Sequence, residues 1–429
     1  MGSRWREVRL GEIYEFRSGL SKPRSAFGSG YGFLTFKDVF YNTFTPERLG
    51  DLVESTERER ELCSIRRGDV FLTRTSETQH ELGMSCVALR DYESATFNGF
   101  CKRLRPKAGD DISPEYAAYY FRGPNFRRAI TAMSSLSTRA SLNEEMLGRL
   151  TISLPPYETQ IAIGKILKTF DDKIALNRRT NETLEAIARA LFKSWFIDFD
   201  PVHAKMAGRE PEGMNAEMAA LFPDSFEESD FGPVPRGWRF EPLDAVARFL
   251  NGLALQKYPA NDGAPSLPVI KIAELRRGNT VDSDRASVDV PPEYVVVDGD
   301  VLFSWSGSLT VVLWSGGRGA LNQHLFKVTS SRFPRWLYFR WVLQHLPDFQ
   351  AIAADKATTM GHIQRGHLTK ALVAVPPPAI LERAGEIFEP LDARWLAGAL
   401  ESRTLAELRD SLLPRLLSGE LSVAAVSEM

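Results

Sequence analysis

Two runs of this chain, FNGFCKR from Phe97 and LNQHLFK from Leu321, are crowded with side chains that donate and accept hydrogen bonds. Such residues suit recognition of a polar ligand, or the turn chemistry that caps strands. Catalysis asks for more. Nucleophilic chemistry needs a Ser/His/Asp-type set and acid–base chemistry a spaced carboxylate pair; neither recurs where the chain repeats itself, and no catalytic centre is expected. The G-x-x-x-x-G-K-[ST] phosphate loop is absent, which removes the simplest route to ATP hydrolysis. FGSGYG, Phe27 to Gly32, is the nearest approach to a glycine-rich cofactor loop. It follows SKPRSA rather than a hydrophobic strand, so it is expected as a flexible surface loop.

A Pro-Pro-aromatic turn can seat the amino group of adenine for methylation when Asn, Asp or sometimes Ser precedes the prolines. In LPPY, Leu154 to Tyr157, that position is a leucine, and the second copy, VPPP at Val375 to Pro378, also lacks the aromatic. Both read as strand-to-helix connectors, since Pro stops a strand and can open a helix. Cys63, Cys86 and Cys101 match neither a disulfide framework nor a zinc pair and are expected to be reduced. The six histidines add no metal constellation, although His362 and His367 are close in sequence.

The formal net charge of -2 argues against binding a polyanion through overall basicity. Local basic clusters remain: Arg66-Arg67, Lys102 to Lys107, Arg127-Arg128, Arg276-Arg277, and the set Arg332, Arg335 and Arg340. They lie apart from the acidic stretch Glu210 to Asp230. No apolar run reaches membrane-spanning length and the N-terminus has no signal-peptide core, so a cytoplasmic protein is expected.

The elements that position these residues come in two copies. RRGDVFLTRTS near Arg67 parallels VDGDVLFSWSG near Asp298, FNGFCKR parallels LNQHLFK, and the segment ending in LPP at Pro156 parallels that ending in VPP at Pro377. Each copy mixes short β-like runs with one helical segment, which predicts an α+β unit. After each unit comes a heptad stripe. In the first it is Ile163, Leu167, Phe170, Ile174, Asn177, Asn181, Leu184, Ala188, Leu191 and Trp195. In the second it is Ala384, Phe388, Leu391, Trp395, Gly398, Ser402, Leu405, Arg409, Leu412 and Leu416.

Both stripes turn polar or small at the same two sites, as register-fixing positions of a coiled coil do. Arg409 interrupts the second stripe, and Pro390 and Pro414 predict a kink near its start and an irregular end. Two similar units, each followed by such a helix, pack about a two-fold axis only if the helices run antiparallel. The first stripe spans about 48 Å at ~1.5 Å per residue, comparable with the roughly 34–36 Å between DNA half-sites one turn apart. The helices are therefore read as spacers. The aromatic end Phe192, Trp195, Phe196 and Phe199 fills a core or forms an exposed partner-docking surface, and docking is the favoured expectation. The boundaries are 1-154 and 236-375 for the units, 155-199 and 376-421 for the helices, 200-235 for a linker and 422-429 for a tail.

At LPPYETQIAIGKI, LNRRTNETLEAIARALFKSWFIDFDPV and LRDSLLPRLLSGEL the chain resembles the specificity subunit of type I restriction-modification systems. The resemblance implies two target-recognition domains separated by two long helices in an antiparallel coiled coil, each domain reading one half of a split, asymmetric double-stranded DNA site. It implies two methyltransferase (modification) subunits and restriction/translocase subunits as partners, with S-adenosylmethionine, ATP and Mg used by those partners and no cofactor or metal in this chain. Affinity would come from phosphate contacts by the basic clusters, and specificity from polar side chains on base edges. The DNA-binding candidates are polar residues at equivalent places in the copies: Arg74, Thr75 and Ser76 with Ser304, Trp305 and Ser306; Asn98 with Asn322, Gln323 and His324; Thr138 and Arg139 with Thr358, Thr359 and His362. Turn chemistry or strand capping is the competing explanation for any one of them. The competing function is a coiled-coil assembly protein whose globular units bind proteins.

Overall fold

The computed structural model describes residues 5–75, 81–107, 111–134, 142–355 and 361–427. Two compact units emerge, one of residues 1–174 with 405–429 and one of residues 175–404. The long helices Tyr157–Phe192 and Pro378–Ser418 are each uninterrupted and contribute to both units.

The two α+β units share one strand plan. In the first, Arg6–Arg9 pairs antiparallel with Thr151–Leu154. A four-stranded antiparallel sheet runs in the order Tyr14–Ser18, Cys101–Pro106, Val70–Thr73, Ser85–Val87. Beside it, Phe27–Leu34 lies between Asp51–Val53 and a parallel partner, Thr96–Phe97. The second unit repeats this with Arg239–Pro242 against Leu372–Val375. Its four-stranded sheet runs Arg248–Asn251, Leu325–Thr329, Val301–Ser304, Val311–Leu313. Ser266–Ile270 again takes a parallel partner, Gly319–Leu321.

The repeated Gly-Asp-Val has a physical reason. Gly68 and Gly299 adopt φ of 89° and 92°, a region closed to side chains bearing Cβ. That turn lets the following Asp face back: Asp69 accepts from the Arg66 amide at 2.7 Å and Asp300 from the Val297 amide at 2.8 Å. Each Asp then pairs with a cation on the neighbouring strand, Arg105 at 2.6 Å and Lys327 at 2.8 Å.

Each unit is tied to the long helices at equivalent positions. In the first, the Tyr119 hydroxyl donates to Asp171 at 2.7 Å, and Arg409 pairs with the same carboxylate. In the second, Arg340 pairs with Asp392 and, at 3.0 Å, with Glu185. Burial pushes Asp392 above the usual carboxylate range, with Arg340 pulling it partly back. Arg409, which breaks the apolar stripe in sequence, is thus a partner for Asp171 across the helix pair.

Within the second unit, Asn177 donates to Glu401 at 2.8 Å and Asn181 to the Trp395 carbonyl at 3.0 Å. Partner numbers fall as helix numbers rise, so the helices are antiparallel there. A Cβ on Gly398 would lie 2.8 Å from Asn181 Oδ1, which explains the glycine in that stripe. The heptad positions of both helices are buried or half-buried throughout. The second helix runs unbroken through Pro390 and Pro414, so the irregular end expected near Pro414 is absent; the helix stops at Ser418, before Gly419 at φ 76°.

Three further expectations need correction. FGSGYG is strand rather than loop: Gly28 and Gly30, at φ 99° and 94°, absorb a bulge while Phe33 pairs with Asp51. Pro124 splits the expected first-unit helix into Pro114–Tyr120 and Pro124–Ser134, whereas Arg335–Asp355 continues through Pro347. The expected linker is structured, with helices Asp200–Met206 and Ala216–Leu221 and a hairpin of Phe226–Ser229 with Gly232–Pro235. Val202, Met218, Phe222 and Val234 from it join the second unit's core.

The aromatic helix end belongs to that core too. Phe192, Trp195 and Phe196 are buried and Phe199 is half-buried. A π-helical turn, Lys193–Ile197, carries Phe196 to 5.6 Å from Trp336, which stacks on Phe388 at 4.8 Å. Burying four aromatic faces is worth more here than presenting them to solvent. No exposed docking surface forms from these side chains.

Candidate functional site

The polar runs at Phe97 and Leu321 each lie at one end of a four-stranded sheet. Where Val70–Thr73 ends, the Arg74 amide donates to the Phe100 carbonyl at 2.8 Å. Where Val301–Ser304 ends, the Trp305 amide donates to the His324 carbonyl at 3.4 Å. The partner in each case is a tight turn led by asparagine. Asn98 Oδ1 accepts from the Phe100 amide at 2.8 Å, and Asn322 Oδ1 from the His324 amide at 3.2 Å. A third segment closes the cluster: the Leu142 amide donates to the Arg74 carbonyl and the Ile363 amide to the Trp305 carbonyl, each at 3.0 Å.

This geometry corrects the pairing of the copies by one residue. Arg74 stands opposite Trp305 and Thr75 opposite Ser306, while Ser304 matches Thr73. Both of the last two are buried and structural: Thr73 accepts from the Met84 amide at 2.9 Å, and Ser304 from the Thr310 amide at 2.8 Å. The asparagines are turn-formers, so the capping explanation holds for the side-chain oxygens of Asn98 and Asn322.

Around these frames the two units differ. In the second, Trp305 donates to Asn251 Oδ1 at 2.8 Å, Ser306 Oγ lies 3.1 Å from His324 Nδ1, and Gln323 Nε2 lies 3.3 Å from His324 Nε2. The Trp305 ring packs near His324 and His362, with centroids at 5.9 and 6.4 Å, and Ser306 bridges to the His362 backbone. Half-buried amide, imidazole and indole groups therefore gather in one place and offer both donors and acceptors. In the first unit Arg74 and Thr75 are half-buried, and Arg74 approaches Ser18 Oγ, the counterpart of Asn251, at 3.5 Å. Ser76, Thr138, Arg139, Thr358 and Thr359 lie outside the described residues.

Sequence reasoning passed over Phe100, whose ring is 62% exposed at the tip of the Asn98 turn, where the second unit carries His324. The alignment of FNGF on LNQH contained the signal, but a lone phenylalanine reads as core.

Many of the expected basic residues are engaged by other groups of the chain, some of them at the surface, while Arg66, Arg128 and Arg276 are exposed. Lys102 pairs with Glu144 and Arg105 with Asp69; Lys107 donates to the Gly11 carbonyl. Arg103 is buried against the Ser64 carbonyl at 2.6 Å, and burial pushes it down to about 10. Arg67 pairs with Glu115, Arg277 with Glu274 and Arg332 with Glu241, Arg340 is buried, and Arg127 donates to the Leu82 carbonyl. Other exposed cations among the described residues include Arg17, Arg24, Arg248 and Arg365. Cys63, Cys86 and Cys101 are free and buried. Among the described residues no group of His, Cys, Asp and Glu could hold a metal ion, and no helix is long and apolar enough to cross a membrane.

Residues 2–186 match the family described as type I restriction modification DNA specificity domain. The MjaIX specificity subunit of Methanocaldococcus jannaschii is 25% identical over 96% of this chain and 92% of its own length. The HindI specificity subunit of Haemophilus influenzae is 24% identical over 98% of this chain and 100% of its own. The crystal structure of a type I restriction-modification S subunit from M. genitalium covers 97% of this chain and 96% of its own at a TM-score of 0.56 and 12% identity, a likeness of fold.

Proposed function

We propose that the chain is a specificity subunit of the type I restriction-modification family, as its family match and its relatives support, and that each of its two units reads one half of a bipartite, asymmetric DNA site. The carrying observation is the strand-end cluster: one hydrogen-bonded frame, built twice, with different side chains around it. Arg74 and Phe100 stand in one copy where Trp305 and His324 stand in the other, so unlike half-sites are expected.

The backbone bonds among the strand end, the Asn turn and the third segment hold these side chains before DNA arrives, which limits the ordering cost of binding. Amide, imidazole and guanidinium groups then supply directional contacts to base edges. Phosphate contacts fall to exposed cations such as Arg17, Arg24, Arg66, Arg248, Arg276 and Arg365, because Lys102, Arg103, Arg105 and Arg340 are engaged internally. The antiparallel helices set the unread gap, with Asn177, Asn181 and Gly398 fixing their register. With its aromatic end buried, methyltransferase subunits dock on other faces of the helices. This chain supplies recognition and no catalytic step; adenine methylation with S-adenosylmethionine, and ATP- and Mg-dependent translocation and cleavage, belong to the partner subunits.

Single-molecule mapping of adenine methylation, with the gene present and deleted and the modification partner co-expressed, tests this reading. A split motif that disappears on deletion, and whose second half alone changes with Trp305→Ala, is the expected result. No deletion-dependent motif in the presence of an active partner would refute it.

A further inference from the structure

We infer that Phe100 is a specificity-determining residue that makes an apolar contact with the bases of the first half-site. This rests on the reading of the two units as DNA readers. Phe100 is 62% exposed, yet its backbone is hydrogen-bonded on both sides. Its amide donates to Asn98 Oδ1 and its carbonyl accepts from Arg74, both at 2.8 Å; the Gly99 amide donates to the Leu20 carbonyl at 2.8 Å, and the Cys101 amide to the Asn98 carbonyl at 2.9 Å. A Cβ on Gly99 would lie 2.4 Å from Ser21 Oγ and 2.8 Å from the Leu20 carbonyl, so this turn must carry glycine before the phenylalanine.

A single exposed apolar residue is ordinary on a protein surface; what sets Phe100 apart is its place on a backbone-fixed turn within the strand-end cluster. The same frame in the second unit presents Gln323 and His324, which are polar and half-buried. One tip offers hydrogen bonds and the other an apolar ring, on a turn bonded to the Arg74 backbone. Two base features answer to such a ring: the thymine methyl on the major-groove edge, and the face of a base at an opened step. Both are apolar base contacts, and the resulting preference is confined to the first half-site.

The test uses the full chain assembled with its modification partner, and duplexes carrying the mapped site. Phe100→Ala is expected to weaken binding by roughly three- to fivefold, the loss for about one buried methyl-sized contact, and to broaden the first half of the methylated motif while leaving the second half unchanged. Phe100→His, which copies the other tip, alters the preferred base there and keeps overall folding. Deoxyuridine replacing thymine at each first-half position in turn identifies a methyl contact if one replacement weakens the native complex and not Phe100→Ala. A 2-aminopurine in the first half that brightens only with Phe100 present identifies an inserted ring. If the native complex methylates a bipartite motif and Phe100→Ala matches it in affinity, motif and both probes, the inference is wrong while the two-reader function stands. If Phe100→Ala instead loses the partner subunit, the ring is a protein contact and the inference is also wrong. Failure of the native complex to bind any split site would overturn the underlying reading.

Discussion

Replacing Arg340 with methionine should destabilise the second unit strongly, and more so at high pH. Arg340 and Asp392 are 4% and 2% exposed, and Glu185, the other carboxylate on Arg340, is 27% exposed. Removing the cation strands Asp392 in the interior, a change of about 3–5 kcal/mol for a broken buried pair. At about 2–4 °C per kcal/mol for a unit of this size, the unfolding transition should fall by roughly 10 °C. The sign of the pH dependence follows from Asp392, already raised by burial and partly held down by Arg340. Without Arg340 it rises further. A carboxyl with a raised folded value contributes stability below its unfolded value of about 4 and loses it as pH rises through the folded value. The deficit of the variant should therefore be larger at pH 8 than at pH 5. Adding Asp392→Leu removes the stranded charge and should recover most of the loss, since Glu185 can hydrate. Thermal and urea unfolding of the full chain, for the single and double variants at both pH values, measures each quantity. A pH-independent loss below about 1 kcal/mol, or no recovery in the double variant, would refute the claim that this buried triad holds the unit to the helices.

Phe192→Ala and Trp195→Ala should each cost about 3–5 kcal/mol by emptying core space, while Phe192→Leu keeps both stability and partner co-purification; a folded, stable Ala variant that fails to bind partners would restore the docking expectation. Thiol titration of the native protein at pH 8 should find Cys86 and Cys101 inert, since burial raises both, Cys101 to about 12; rapid labelling before unfolding would contradict it. Gly299→Ala, at φ 92°, should lose about 1–3 kcal/mol in urea unfolding. Gly263→Ala, at φ 76° with nothing within 4 Å of its Cβ, provides a surface comparison and should lose less.

What could be read from sequence was whatever depends on local period. The heptad stripes, the repeat and the α+β character follow from spacing alone, and the heptad positions avoid solvent through both helices. What could not be read depends on partners distant in the chain. The run KRLRPK looks like a phosphate-binding surface until Asp69, 36 residues from Arg105, and Glu144, 42 from Lys102, are found against it. The burst of aromatics at Phe192 to Phe199 looks exposed until the structured segment after it supplies Phe222 and Trp238 as a covering layer. Arg409 looks like a defect in a stripe until Asp171 meets it from the other helix. The one-residue slip that set Arg74 against Ser304 arose because similar polar letters align in several ways, and only the hydrogen bonds to Phe100 and His324 fix which is equivalent.

The same comparison bears on whether the strand-end clusters read DNA or merely terminate strands. Folding alone holds the turning residues in place, so what bears on reading is what the frame carries. The frame is kept in type: Gly68 and Gly299, Asp69 and Asp300, Asn98 and Asn322, and Gly19 with Gly252, where a Cβ would lie 2.4 Å from the Asn98 carbonyl oxygen and 2.2 Å from that of Asn322. The side chains mounted on it change in chemistry from Ser18 to Asn251, Arg74 to Trp305 and Phe100 to His324, while Thr75 and Ser306 both keep a hydroxyl. A frame held constant while what it presents is varied is the pattern expected when the presented groups choose a ligand and the frame only holds them. Exchanging these three differing residues between the units, with the frame and Gly99 untouched, should therefore carry half-site preference with them. A motif unchanged by that exchange would place reading elsewhere on each unit.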